Sequence, residues 1–503
     1  MAKTCIVCGQ AAGSGEHVFP ASLGGRRVNS GIYCPKHDNS YSGLVNEIAE
    51  QLDFLNAYLG VRPDHSKHPK TAYGEHTLTG ETVSISAKEI KFTKPRVISR
   101  TAVGEGEELH LAFPNQQSVK QFAKKMEDDG HEWTPLSKPS ARPYITGSIH
   151  HKRKFGGACG LGAIAYMTQT FFAQEFPELA RSGTLSNFLN YTQAIAKVAA
   201  LGGCEQQPEE REELIEARAA VTVALEPFGG TAPIWWDFSP PAGARANKFE
   251  FGHRVTVGID GFDGQIYGRV ALFSTLTFAV HLGTAPQGSA TREVTVDIDP
   301  LAEHPPHDID KHQVLSAPGR VQVPEHATEG LANALADGTQ QRAFANLLER
   351  LEEHQLLKLA RTMSTALAPC STLSLFEART LIEKELDQQP QQIWRLVTAV
   401  VEGLRAEMVK GGMENIAPVL DNLIAYDAQS ASGLSQQAEA TLALAKAALV
   451  AQMEQDCAAG VLHEERIAEL MGRGPGLYAV GQLVLAPVLQ VFSESAHPNE
   501  VSR

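Results

Sequence analysis

The chain contains no long apolar run. Its most apolar stretch, Leu477 to Phe492, is shorter than a membrane span and carries Gln482, Pro487 and Gln490, so it is expected as a buried helix. The opening Met1-Ala-Lys-Thr-Cys5 leads straight into cysteine-rich sequence and has none of the pattern of a secretory signal, which makes the cytoplasm the expected compartment and gives no membrane partner. No fixed repeat period is visible, which argues against a solenoid. A disulfide framework is also missing. Of seven cysteines, Cys5, Cys8 and Cys34 crowd the N-terminus, while Cys159, Cys204, Cys370 and Cys457 are scattered. The cluster reads as metal ligands and the scattered four as core thiols.

Positive charge is scarce as well. The formal net charge is −14, which taken whole argues against a polyanionic partner. Its distribution reverses that for one part of the chain. Residues 1–160 hold 20 Lys/Arg against 16 Asp/Glu, a balance of +4, and the remainder holds 24 against 42, a balance of −18. Local charge decides where a polyanion docks, so docking is expected in the first third.

With 503 residues the chain exceeds one hydrophobic core, and two to four domains are expected. Residues 1–60 alternate turn signals with short apolar runs, then enter a helical pattern at Leu44, Ile48, Leu52 and Leu55. Arg62 to Lys70 reads as a linker. Thr77 to Ser86 predicts a hairpin around Gly80, Leu109 to Phe113 a strand, and Ser118 to Met126 a helix capped by Asn115. Helical patterns follow at 163–176, 185–200 and 209–225, then an antiparallel β-rich piece from Arg254 to Leu282. Residues 284–328, rich in Pro and His, read as a linker or surface loops. Beyond Thr328 the pattern is helical: 342–366, 376–386, 393–409, 436–457 and 464–471. The second of these is headed by a Ser374-Leu-Phe-Glu377 capping box.

The chemistry concentrates at the N-terminus. Cys5-Ile-Val-Cys8 and Cys34-Pro-Lys-His37 are two knuckles of two-residue spacing, the arrangement by which a tight turn presents two ligands to tetrahedral zinc. Together they staple a segment with little core of its own. Inside the loop lie Gly15-Glu16-His17, Pro20, Leu23-Gly24-Gly25 and Asn29, and directly behind the second knuckle stand Asp38 and Asn39. A histidine that titrates near neutrality suits a general base, and His17 is the candidate. Glu16 and Asp38 flank it with the oxygen ligands that a hard cation prefers. Arg26 and Arg27 on the intervening turn could hold a phosphate backbone.

In these elements, residues 5 to 44 resemble the HNH endonucleases, the ββα-metal or His-Me-finger family. The shared pattern is a CxxC knuckle, an acidic residue plus His, a Pro, a Gly-Gly turn, an Asn five residues before the second knuckle, and a metal ligand just behind it. Asn29 stands five before Cys34, and Tyr41-Ser42-Gly-Leu44 continues the family's usual tail. Two departures are His37 in place of the more common Cys, and Asp38, with Asn39 as alternate, where the family carries His or Asn. The resemblance implies cleavage of DNA phosphodiesters with structural Zn²⁺ on Cys5, Cys8, Cys34 and His37. It implies catalytic Mg²⁺ or Mn²⁺ on Glu16 and Asp38 (or Asn39), with Asn29 tethering the loop that carries His17. The fold expected is multidomain α+β: an N-terminal zinc-braced ββα-metal (HNH) module over 1–62, a mixed α/β middle region over 71–300, and a mainly helical C-terminal region over 330–495. Large acidic regions behind a small cutter suit a sensor, an oligomerisation platform or a surface for a regulatory protein, nucleic acid or small-molecule trigger. Proteins that resemble this layout occur among prokaryotic defence effectors. The reading left open beside it is a non-catalytic zinc module that binds nucleic acid or protein.

Weaker signals have plainer explanations. The basic run Lys88, Lys91, Lys94, Arg96, Arg100 and the cluster His150 to Lys154 could track a phosphate backbone, although solvated faces account for such runs more often. Gly156 to Gly162 lacks both a preceding strand and a GK[ST] ending, so close helix packing is preferred to phosphate binding. His304, His307, His312 and His326 are too irregularly spaced for a metal site. Trp235-Trp236 suit a core or interface better than base stacking.

Overall fold

The computed structural model describes residues 3–132 (other than 67, 88, 89, 105, 114 and 115), 149–203 (other than 153 and 154), 211–237, 246–315 (other than 306), 321, 335–472 (other than 428, 429, 431 and 432) and 480–482. These residues form a mixed α/β structure with several sheets. No helix among them is long and apolar enough to cross a membrane. Asn115, Lys88, Arg153, Lys154, Cys204, His326 and most of 477–492 lie outside the described residues.

The chain opens with two short strands, β1 (Glu16–His17) and β2 (Val28–Asn29), and the helices α1 (Pro35–Ser40), α2 (Ser42–Gln51) and α3 (Asp53–Leu59). The expected single helical pattern splits at Leu52, whose φ of −108° interrupts the spiral, and α3 ends on Gly60 at φ 77°, the left-handed stop that favours glycine. Strands β3 (Ala72–His76), β4 (Thr82–Ile85), β5 (Ile90–Phe92), β6 (Arg96–Val103) and β7 (Gly106–Ala112), then α4 (Gln116–Asp128) and β8 (Ile149–His150), follow. The hairpin anticipated around Gly80 is β3–β4, and β6 pairs with β7 alone as an antiparallel ribbon.

Next come α5 (Gly157–Glu175), α6 (Pro177–Arg181), α7 (Ser186–Ala200) and α8 (Glu212–Leu225). The strands β9 (Ile234–Trp236), β10 (His253–Ile259), β11 (Gln265–Leu272), β12 (Leu276–Thr284), β13 (Arg292–Ile298) and β14 (Ile309–Val314) build an antiparallel sheet in the order β14-β13-β10-β11-β12-β9. Strands β13 and β14 correct the reading of 284–328 as linker. Val294, Val296 and Ile298 alternate with Thr295 and Asp297 and pair with β10, a period-two signal hidden by the surrounding prolines and histidines. Trp235 and Trp236 are buried in β9, as a core role requires. Cys159, expected as a core thiol, is buried and disulfide-bonded.

The chain divides into two compact units. The first comprises Met1–Gly74, Ser84–Glu89 and His151–Glu349, and α5 is its spine. This helix is buried along nearly its whole length, with α2 and α7 packed on it and strands β9 to β12 against it as well. Its small residues permit that closeness, and its buried polar groups are satisfied internally. The Thr168 and Thr170 hydroxyls donate to the carbonyls of Ile164 and Tyr166 at 2.8 Å each, and Gln169 donates to Tyr33 Oη at 3.0 Å while accepting from Thr192 at 2.7 Å. Helix α2 meets α7 so closely that a Cβ on Gly43 would lie 2.9 Å from the Ala200 nitrogen.

The second unit comprises Glu75–Val83, Ile90–His150 and Arg350–Arg503. From residue 339 the described elements are helical: α9 (Thr339–Leu367), α10 (Leu375–Leu386), α11 (Pro390–Lys410), α12 (Ala417–Asn422), α13 (Gln436–Ala458) and α14 (Glu464–Met471). Ser374 and Glu377 form the anticipated capping box on α10. Ile382, Leu386, Ile393, Val397, Leu449 and Met453 close one apolar core among these helices.

His253, at the head of β10, lies fully buried between the rings of Phe19 and Phe273, 5.0 and 4.6 Å away, and its Nδ1 accepts from the Phe273 N–H at 3.3 Å. Burial pushes its pKa down to about 3, against a smaller opposing pull from the Leu23 carbonyl. Because the folded pKa lies below the ordinary 6.5, this histidine contributes stability above pH 6.5 that is lost as pH falls toward 3. Acidification from pH 7 to 5 should therefore cost about 2 kcal/mol through this one group. In urea unfolding, His253→Asn, whose amide oxygen can replace Nδ1, should flatten that pH dependence. An unchanged slope would mean that His253 is not buried as a neutral ring.

Candidate metal centre

The two knuckles converge. Cys5, Cys8, Cys34 and His37 place one ligand atom each within 4.8 Å of one another, the one such group of metal-ligating side chains among the described residues. The individual separations are informative. Cys8 and Cys34 sulfurs stand 3.8 Å apart, and His37 Nδ1 lies 3.6 Å from the Cys5 sulfur and 3.3 Å from that of Cys34. A tetrahedron with zinc–sulfur bonds of about 2.3 Å has sulfur–sulfur edges of about 3.8 Å, and the shorter zinc–nitrogen bond contracts the mixed edges. The cluster can hold a metal ion such as zinc.

Local backbone chemistry prepares the ligands. Cys34 is the N-cap of α1, with Pro35 at the first helical position, and the His37 N–H is the largest influence holding its thiol below the usual range. Burial, with Lys36 adding to it, lowers the His37 pKa and favours the neutral ring that ligation requires. In the first knuckle the Cys5 N–H donates to Gln10 O at 2.7 Å and Gly9 N–H to Cys5 O at 2.9 Å, which fixes the turn between the two thiols.

Behind the cluster, β1 and β2 form a two-rung antiparallel ribbon in which Glu16 faces Asn29 and His17 faces Val28, followed by α1. The turn between the strands is fixed by close approach: a Cβ on Gly25 would fall 1.9 Å from the Phe19 carbonyl oxygen. Strand alternation sends the two candidate side chains to different neighbours. Asp38 on α1 and Tyr166 on α5 are the groups that act electrostatically on the Glu16 carboxyl. Burial, then the neighbouring Asp38, raise the Glu16 pKa to about 8, with Tyr166 working the other way. Asp38 Oδ2 accepts from Ser14, while its Oδ1 is buried and receives no hydrogen bond from the described residues. Such an oxygen calls for a cation or for a proton on the adjacent carboxyl. Asn39, one residue on, is exposed.

His17 turns to the loop over 62–70. Its Nε2 lies 3.2 Å from Asp64 Oδ2, and the ring of His65 stands edge-on at 4.9 Å. Asn29 accepts from the Gly31 N–H at 2.7 Å and donates to Gln174 on α5, so it ties the ribbon to that helix. Both turn arginines are engaged inside the chain. Arg26 donates to the Ala302 carbonyl at 2.6 Å and stands 3.5 Å from Asp64, with 9% of its side chain exposed. Arg27, 45% exposed, pairs with the buried Asp308 at 2.9 Å.

Three participants escaped the sequence. Asp64 and His65 lie in a stretch that reads as linker, and nothing in its composition marks two residues out of nine as neighbours of His17. Tyr166 sits on a helix whose apolar pattern signals packing alone; its hydroxyl beside Glu16 is legible only once α5 is folded against the ribbon. No family model, no curated protein and no solved structure matches the chain.

Proposed function

We propose that the chain is a metal-dependent endonuclease of the HNH kind, hydrolysing DNA phosphodiester bonds. The observation that carries this reading is the buried Asp38 Oδ1, which receives no hydrogen bond from the described residues, on a strand–strand–helix unit that also presents Glu16 and His17. Two adjacent carboxyls fit a divalent ion that keeps much of its water, and Glu16 and Asp38 would hold Mg²⁺ or Mn²⁺. When bound, that ion supplies charge relief at phosphorus and help for the leaving oxygen. His17 receives the proton of the attacking water. Cys5, Cys8, Cys34 and His37 hold a structural Zn²⁺ that fixes α1, and with it Asp38, against the ribbon. Since Glu16 and His17 leave the strand on different sides, the reading requires the scissile phosphate to lie across the end of the ribbon.

The acidic remainder of the chain suits a regulatory or assembly surface, the organisation expected of a regulated defence effector. A second reading, a zinc module that binds without cutting, draws on Arg26 and Arg27, both of which serve contacts within the chain.

The discriminating experiment is plasmid cleavage with added Mg²⁺ or Mn²⁺, with and without EDTA. Cleavage should require the added ion. Asp38→Ala should abolish most activity and Asn39→Ala should leave it near wild type, because Asp38 has a buried oxygen without a donor among the described residues whereas Asn39 is exposed. Full activity in Asp38→Ala with a dead Asn39→Ala would reverse that assignment, and zinc-loaded protein that binds DNA without cutting under any of these conditions would favour the second reading.

A further inference from the structure

We propose that Asp64 is the positioning residue of His17, an inference that rests on reading His17 as the base and adds to it the source of its orientation. The support is a continuous chain of contacts. The Ala302 carbonyl accepts from Arg26 Nη2 at 2.6 Å, Arg26 Nη1 stands 3.5 Å from Asp64 Oδ1, and the other oxygen, Oδ2, lies 3.2 Å from His17 Nε2. Each oxygen of the carboxylate thus serves a different partner. Arg26 and His17 have 9% and 12% of their side chains exposed, so both are held on a firm surface; Asp64, at 32%, closes over them from the loop.

The chemical consequence lies in the tautomer. An ionised carboxylate only accepts hydrogen bonds, so the proton of a neutral His17 ring is drawn to Nε2 and the lone pair is left on Nδ1. A carboxylate behind the opposite nitrogen also fixes the ring plane. Asp64 therefore selects Nδ1 as the atom that takes the water's proton, while Arg26, with its guanidinium committed to Ala302 and Asp64, holds the carboxylate rather than the substrate. The His65 ring, edge-on to His17, limits its rotation from the same loop.

Two measurements on the full-length, zinc-loaded chain test this. In ¹⁵N-histidine NMR at pH 8.5 without Mg²⁺, the His17 signal, identified by its loss in His17→Gln, should report a hydrogen on Nε2. Asp64→Ala should convert it to a mixture of tautomers, and Asp64→Glu should restore the wild-type pattern. In cleavage with Mg²⁺, Asp64→Ala should lower kcat by about tenfold to a hundredfold with little change in KM, and Asp64→Glu should recover part of the loss. An unaltered tautomer in Asp64→Ala overturns the proposal. So does a rise in cleavage, which would make Asp64 a blocking group seated in the phosphate's place. A chain that never cleaves, yet loses the tautomer in Asp64→Ala, sinks the endonuclease reading and leaves the orientation of His17 by Asp64 standing.

Discussion

Replacing His17 by alanine should lower DNA cleavage by about a hundredfold to ten-thousandfold, the usual cost of losing a general base. The substitution removes an imidazole that is no zinc ligand and whose contacts are with Asp64 and the ring of His65. Zinc content and the thermal transition should therefore stay close to wild type. With His17 as the proposed base, the loss should fall on kcat, since a base acts when the water loses its proton and contributes little to binding the substrate. Cleavage by His17→Ala at the wild-type rate would move the base elsewhere and remove the foundation of the site.

Loss of a knuckle ligand should have the largest structural effect in the molecule. Purified protein should carry close to one zinc per chain, and Cys34→Ala should lose it. Structural zinc stabilises small modules by about 10–16 kcal/mol in apparent binding energy, more than a short ribbon and three short helices can replace. The effect should not stop at residue 62. Tyr33 and Tyr41 stack near Tyr166 of α5, with ring centroids 6.0 and 4.5 Å away, so a loosened module unseats the spine of the first unit. Elemental analysis and a melting curve check both parts. Unchelated wild-type protein without zinc, or a Cys34→Ala variant that melts with wild type, would refute the metal assignment.

How much of this was legible beforehand depends on whether a residue's role is local. The cluster of Cys5, Cys8, Cys34 and His37 was legible because an x2 spacing is a property of one turn, and the convergence of two such turns needs only a loop to close. Helices such as α10 and α14 were legible because caps and periodicity act within a few residues. Strands β13 and β14 were missed because their alternation is short and is diluted by Pro and His on either side. The side-chain partners of the site were hidden for a different reason. Arg26 and Arg27 look like free cations in sequence, and their acceptors Ala302 and Asp308 lie more than 270 residues away. Asp64 meets His17 across 47 residues. Such pairings are products of tertiary packing, and no local pattern encodes them.

The burial of α5 bears on how this protein can be dissected. The motif-bearing segment, with its Cys/His cluster, invites excision at the loop over 62–70 and grafting onto another carrier. Yet Leu44, Ile48, Tyr33 and Tyr41 are almost wholly covered, and much of that cover comes from α5 and α7, encoded more than ninety residues downstream. Severed at residue 62, the fragment would expose those side chains and forfeit Tyr166 beside Glu16 and Gln174 beside Asn29. The smallest transferable unit is therefore not the segment that bears the motif. It must include the helix that lines the back of the acidic pair, and the strands on which that helix rests.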